Sequence, residues 1–300
     1  MKQRVISGVI LALAIIGLGL VGSYPLTLMV MLCGLLGYFE LTRILCMPSR
    51  SKKSRRTGQE EAPARFPDAI ALPGLVLSVV YYAGMVLIEW RYGAINLPGM
   101  ISALDFWTLL VLALDFLLTM GIYVYTFPRR RSAQVTGALT AFLYAPVLFS
   151  FLCRTRLLPH GFFLYILIFV CSSVSDVCAL AAGMAIGRHK LAPVLSPKKT
   201  IEGAIGGVLG SAAVSALVGF VLHRIDPGVN VTGIFLIIGI CGSILGQTGD
   251  LAASAIKRNH GIKDYGNLIP GHGGIMDRFD SVLYTAPVIY YLSYLMLNRM

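Results

Sequence analysis

Long apolar runs separated by short polar stretches recur along the whole chain. They fall at 5–22, 24–45, 69–90, 103–127, 136–153, 162–187, 204–221, 233–249 and 282–297. Each approaches the roughly 20 residues an α-helix needs to cross the hydrocarbon core of a bilayer. Lipid offers no partner to a bare peptide group, so apolar runs of this length predict helices, which satisfy their own backbone. The expected fold is all-α: a polytopic integral membrane helical bundle of about nine transmembrane helices. The first run follows Lys2 and Arg4 and could pass for a signal peptide. A second run begins almost at once, which predicts an uncleaved hairpin instead. About five spans fall in residues 1–160, and about four in residues 161–300.

Composition supports this reading and removes the alternatives. The chain is 56% hydrophobic and only 13% charged, against about a quarter charged in soluble domains. Its mean hydropathy is +0.76. A cytosolic enzyme, a disordered tail and a collagen-like fibre are excluded. The net charge of +11 is explained by topology, not by nucleic acid, which is not expected as a partner. With a cytoplasmic N-terminus and alternating spans, twenty of the 25 Lys and Arg lie on the cytoplasmic side, leaving Arg91, Arg154, Arg156, Arg224 and Arg299 opposite. That split follows the positive-inside rule, and one helix more or fewer in the middle would spoil it. The polar loop 47–67 holds a basic run from Arg50 to Arg56. It reads as a topology determinant in preference to an anionic-lipid patch. The six cysteines and five histidines show no zinc spacing.

Ionisable residues inside spans are costly and mark function or a specific partner. The first half has Glu40, Asp105 and Asp115 in or near spans. The second half is far richer, and its polar groups pool on the predicted cytoplasmic side. Asp176 falls in mid-span and should face the bundle interior or a water-filled cavity. Gly183 and Gly187 after it read as close helix packing. Ser196-Pro-Lys-Lys-Thr-Ile-Glu-Gly203 precedes the seventh span, where a helix start favours anions. If 250–258 is helical, Asp250, Ser254 and Lys257 share a face. Pro270-Gly-His-Gly-Gly274 cannot be helix interior, and its glycines permit positive φ and close backbone approach. Asp277, Asp280 and Ser281 share a face at the start of the last span. Carboxylates on two helices suit a hard cation such as Mg²⁺. Neighbouring Lys and Arg suit phosphate oxygens. The combination points to phosphoryl-type transfer. An ion-coupled membrane transporter using Asp176 and Asp115 is the rival reading; the pooling of polar groups at one face counts against it.

These segments resemble a known family. Ser254-Ala-Ile-Lys-Arg258, Lys263-Asp264 and Pro270-Gly-His-Gly-Gly-Ile-Met-Asp-Arg-Phe-Asp280-Ser281 look like the signature of phosphatidate cytidylyltransferase (CDP-diacylglycerol synthase). The 196–203 box and Asp176 with its following glycines are similar to other marked segments of that family. Leu180 and Ile201 stand where the family often has aromatic residues. The resemblance implies that CTP and phosphatidate react, with Mg²⁺, to give CDP-diacylglycerol and pyrophosphate. It implies that Asp250 and Asp277, with Asp176, hold the metal, and that a second cation such as K⁺ can share the site. It makes Asp250, Lys257, Asp277 and Asp280 the catalytic group, with Asp280 supporting the metal site. Ser196, Lys198, Lys199, Thr200, Ser254, Arg258, Lys263, His272 and Arg278 would hold substrate. Residues 161–300 become the catalytic part. The site is expected to face the cytoplasm from a bacterial plasma (inner) membrane, in a bilayer with anionic lipids, and a homodimer is compatible with the resemblance.

Overall fold

The computed structural model describes residues 16–46, 69–92, 97–228, 231–266, 268 and 273–297. The basic loop 47–67, His272 and most of the first predicted span lie outside the described residues; of that span, 16–21 are helical. The helices are α1 (Ser23–Leu45), α2 (Leu72–Tyr92), α3 (Leu97–Tyr125), α4 (Ser132–Phe142), α5 (Leu148–Arg156), α6 (Gly161–Ile186), α7 (Ile201–Ile225), α8 (Thr232–Asn259) and α9 (Met276–Leu297). Helices α4 and α5 run on as one helical span. A π turn over Leu143–Val147 joins them at Pro146, whose missing N–H breaks the regular ladder. Among the described residues, seven helices are long and apolar enough to cross a membrane. The ninth predicted span forms as α9 but is not one of the seven, its apolar run being diluted by Tyr284, Tyr290, Tyr291 and Tyr294 and by three charged residues in its first two turns. The protein is a multi-pass membrane bundle. Leu109, Phe116 and Leu117 on α3 are half to two-thirds exposed, as a lipid-facing surface requires.

The chain forms two compact units. One comprises Thr27–Ser150 with Gly274–Met276, the other Met1–Leu26, Phe151–Gly273 and Asp277–Met300. In the first unit, tyrosines pin the helices through their hydroxyls. Tyr38 donates to Ala71 O at 2.9 Å, and Tyr82 to Pro146 O at 2.8 Å. Tyr81 shares hydrogen bonds with Thr108 and Ser150. Asp115 on α3 is buried, within electrostatic reach of Tyr38.

The second unit is built on small residues. Gly203, Gly207, Ser211, Ser215 and Gly219 recur every fourth position of α7, and all are buried. Such a ridge lets helix backbones approach closely in lipid, where apolar burial between helices supplies no drive. A Cβ on Gly207 would lie 2.8 Å from Ser175 O on α6. Helix α8 answers with buried Gly239, Gly242, Ser243, Gly246 and Gly249. A Cβ on Gly249 would lie 2.8 Å from both Asp280 O and a ring carbon of Tyr284 on α9. Buried hydroxyls then tie the rods: Ser172 to Ser281 at 2.6 Å, Ser175 to Ser243 at 2.7 Å, and Thr285 to Gly242 O at 3.2 Å. Gly207→Leu is expected to destabilise the protein by about 1–3 kcal/mol through overpacking; a lowered midpoint of thermal unfolding in detergent checks this.

Between α6 and α7 the chain makes an antiparallel hairpin, β1 (Lys190–Ala192) and β2 (Ser196–Thr200), pairing Lys190 with Thr200 and Ala192 with Ser196. It is an addition to the helical reading of the sequence. Gly183 and Gly187 do serve close packing: a Cβ on either would come within 2.9 Å of Thr200.

Candidate active site

The hairpin carries the first basic group to the helices. Thr200 ends β2 and caps α7, its Oγ1 accepting from Gly203 N at 3.1 Å. Such a cap satisfies one of the orphan donors of a helix start. Glu202, one residue too early for a capping box, turns back instead. Its carboxylate accepts from Arg188 N at 3.0 Å and His189 N at 3.2 Å, and His189 Nδ1 lies 2.6 Å away. These bonds fasten the start of the hairpin to the first turn of α7. Lys198 and Lys199 are thereby held over a cavity of about 380 Å³, whose lining also includes Asp176, Leu180, Gly183, Met184, Leu191, Thr200 and Gln247. Asp176 is exposed to this cavity, as its mid-span charge requires. Gln247 Nε2 lies 3.2 Å from both Ser175 Oγ and Ala204 O, so α8 is bridged to α6 and α7 at the cavity wall.

Helix α8 runs on past the predicted end at Gly249 to Asn259, so Asp250, Ser254 and Lys257 do lie along one helix. Asp250 forms an ion pair with Lys199. One further pair is more enclosed: Lys257 Nζ donates to Asp277 Oδ1 at 2.8 Å, with the two side chains 15% and 4% exposed. The other oxygen of Asp277 accepts from Tyr265 N at 2.7 Å. Gly273 reaches this spot with φ of +86°, and a Cβ there would lie 2.9 Å from Asp277 Oδ2. Both facts demand glycine at that position.

Tyr265 is an organising residue that sequence reasoning missed. It is buried, its hydroxyl donates to Ala253 O at 3.0 Å, and its ring lies 5.3 Å under Lys257 Nζ. Burial, with the charges of Asp277 and Asp280 nearby, pushes its phenol above the ordinary tyrosine range. It stays protonated and fixes the loop after α8. A single aromatic after Lys263-Asp264 carries no periodic signal that would have marked it.

Asp280 joins the two ion pairs. It is buried, accepts from Ser281 N at 2.7 Å, and lies within electrostatic reach of Asp250, Lys257 and Asp176. Asp176 in turn feels Lys199 and Asp250. Thus Asp176, Lys199, Asp250, Lys257, Asp277 and Asp280, from α6, β2, α8 and α9, form one electrostatic group. Ser196 sits in the β-ladder opposite Ala192 and does not line the cavity. Arg258, Lys263 and Arg278 are exposed, and Ser254 lies half-buried on α8.

No three His, Cys, Asp or Glu side chains converge into a ready-made metal cage among the described residues. The donor chemistry nonetheless fits Mg²⁺. That ion is usually held by one or two carboxylates together with substrate phosphates, and the acids here are oxygen donors whose mutual repulsion a cation would relieve.

The whole chain is similar to known proteins. Residues 2–296 match the model of the cytidylyltransferase family. The phosphatidate cytidylyltransferase of Bacillus subtilis (strain 168) is 31% identical over 295 residues, which is 97% of each chain. That of Staphylococcus aureus (strain COL) is 35% identical over 210 residues, covering 65% of this chain and 78% of its own. A third, from Staphylococcus haemolyticus, is 36% identical over 179 residues, 60% of this chain and 66% of its own.

Proposed function

This chain belongs to the cytidylyltransferase family, and from that premise we infer that its reaction is the synthesis of CDP-diacylglycerol. It transfers the cytidylyl group of CTP to phosphatidate and is not an ion-coupled transporter. The observation that carries the reading is the Lys199–Asp250 ion pair at a cavity lined by Lys198 and Lys199, with a second, more enclosed Lys257–Asp277 pair about two turns further along α8.

A phosphate oxygen of phosphatidate attacks the α-phosphorus of CTP. A new P–O bond forms there, the bond from the α-phosphorus to the bridging oxygen breaks, and pyrophosphate leaves with the electron pair. The attacking phosphate is already anionic, so no side chain need remove a proton. Catalysis consists of positioning and charge neutralisation. Lys198 and Lys199 receive phosphate oxygens at the cavity edge, and Lys257 does so from the last turn of α8. Leu180, Met184 and Leu191 give the same cavity an apolar wall suited to a lipid. Asp277 keeps Lys257 in place, and Tyr265 keeps Asp277. We assign Mg²⁺ to Asp250 and Asp277, with Asp176 and Asp280 close by; when bound it neutralises charge on the triphosphate. Arg258, Lys263 and Arg278 are placed to raise the local concentration of anionic substrate. By the distribution of basic residues the site faces the cytoplasm, where CTP is found, from a bacterial plasma membrane.

Purified protein given Mg²⁺, CTP and phosphatidate should release pyrophosphate and form a liponucleotide in equal amounts, with neither product when Mg²⁺ is chelated. Protein-dependent ion flux in liposomes with no nucleotide chemistry would overturn this reading.

A further inference from the structure

Glu40 lies on α1 with 7% exposure, far in sequence from every residue of the candidate active site. Its carboxylate accepts from Ile275 N and Met276 N, each at 3.0 Å. These are backbone donors at the start of α9, where a helix has no intrahelical acceptors to offer. A local Ser, Thr, Asp or Asn commonly fills that need. Here the preceding residues are Gly273, Gly274 and Ile275, none of which has a side chain able to do so. The cap comes instead from 235 residues away. The surroundings are shaped to it. A Cβ on Gly274 would meet both carboxylate oxygens of Glu40, and a Cβ on Gly37, one turn earlier on α1, would lie 2.9 Å from Met276 Sδ. A carboxylate is stabilised at this end of a helix by the dipole and by charge-assisted hydrogen bonds, which offset its burial.

We propose that Glu40 is a positioning residue for the reaction, fixing where α9 begins and hence where Asp277, the next residue of the chain after Met276, presents its carboxylate. The inference rests on the assignment of Asp277 to the metal given above. Glu40 touches no substrate. It sets the start of the helix, and a displacement of about 1 Å in a reacting constellation can cost on the order of 100-fold in rate.

The test compares wild type, Glu40→Gln and Gly274→Ala in nanodiscs. Glu40→Gln removes the charge and turns an N–H₂ toward one of the two donors; Gly274→Ala displaces the carboxylate without changing it. Hydrogen exchange measured without metal should show the 275–276 amides exchanging faster in both variants. With substrates, both should need several-fold more Mg²⁺ for half-maximal rate, with kcat down about 10- to 100-fold. A merely structural role would lower the amount of folded enzyme and leave the Mg²⁺ half-saturation of the remainder unchanged. The proposal is overturned if the 275–276 amides stay protected, or if they open while the Mg²⁺ dependence stays at the wild-type value. Absence of CTP-dependent product from wild type would instead overturn the functional reading, and the exchange arm would still decide whether Glu40 caps α9. Should Glu40→Gln fail to fold, Gly274→Ala decides alone.

Discussion

Asp277→Asn is expected to lower cytidylyl transfer by about 10²–10³-fold, the scale of losing a preorganised electrostatic group at a reacting centre. The carboxylate receives Lys257 Nζ on one oxygen and Tyr265 N on the other. An amide has one acceptor, so one of these donors must face an N–H₂. Lys257 also loses its counter-charge while remaining largely buried, and breaking a buried pair from one side costs about 3–5 kcal/mol. Loss of activity could therefore be confused with loss of fold. The double variant Lys257→Met/Asp277→Asn separates the two, because it removes the stranded ammonium. Its unfolding midpoint should recover much of what Asp277→Asn loses, whereas its transfer rate should fall well below that of Lys257→Met alone, which isolates the part due to Asp277. Full activity in Asp277→Asn would remove this residue from the metal assignment.

Lys199→Met is expected to reduce kcat/KM for CTP by about 10- to 100-fold, corresponding to the loss of one or two charge-assisted contacts to phosphate. Lys199 pairs with Asp250, and its charge is also felt by Asp176. Without it two carboxylates oppose each other beside the cavity, and an incoming triphosphate adds to the repulsion. Lys199→Arg should restore only part of the rate, since a planar fork does not substitute for a compact ammonium. Steady-state kinetics at fixed Mg²⁺ checks both variants. Unchanged kcat/KM in Lys199→Met would place the triphosphate elsewhere.

Much of this arrangement could be read from the chain. Hydropathy marks membrane helices because lipid enforces one rule on every residue of a span. The acids and bases of α8 and α9 stood out because charge is rare near such spans. What escaped was of longer range or weaker pattern. The hairpin has strands of three and five residues, too short for a period-two signal, and contains Pro197, which is uncommon within sheets. Tyr265 acts through its backbone N–H as much as its ring, and a backbone donor leaves no trace in residue type. Glu40 was visible as a charge in a span, but its partners are peptide groups in another part of the chain, and local periodicity cannot name them. The apolar run of α8 stops at Gly249 while the helix continues to Asn259, because hydropathy marks where a span leaves the lipid and not where its hydrogen-bonded ladder ends.

The cavity described above has one greasy side, with Leu180 and Met184 64% and 74% exposed on α6, and one basic edge. On the proposed function, phosphatidate slides in sideways along such a wall and never enters bulk water, whereas CTP arrives from solution. The two substrates are then counted in different units: moles per litre for one, molecules per hundred neighbours in the leaflet for the other. Diluting the vesicles into buffer of the same CTP concentration would starve the enzyme of neither, but diluting the acidic lipid among inert ones would starve it of that lipid.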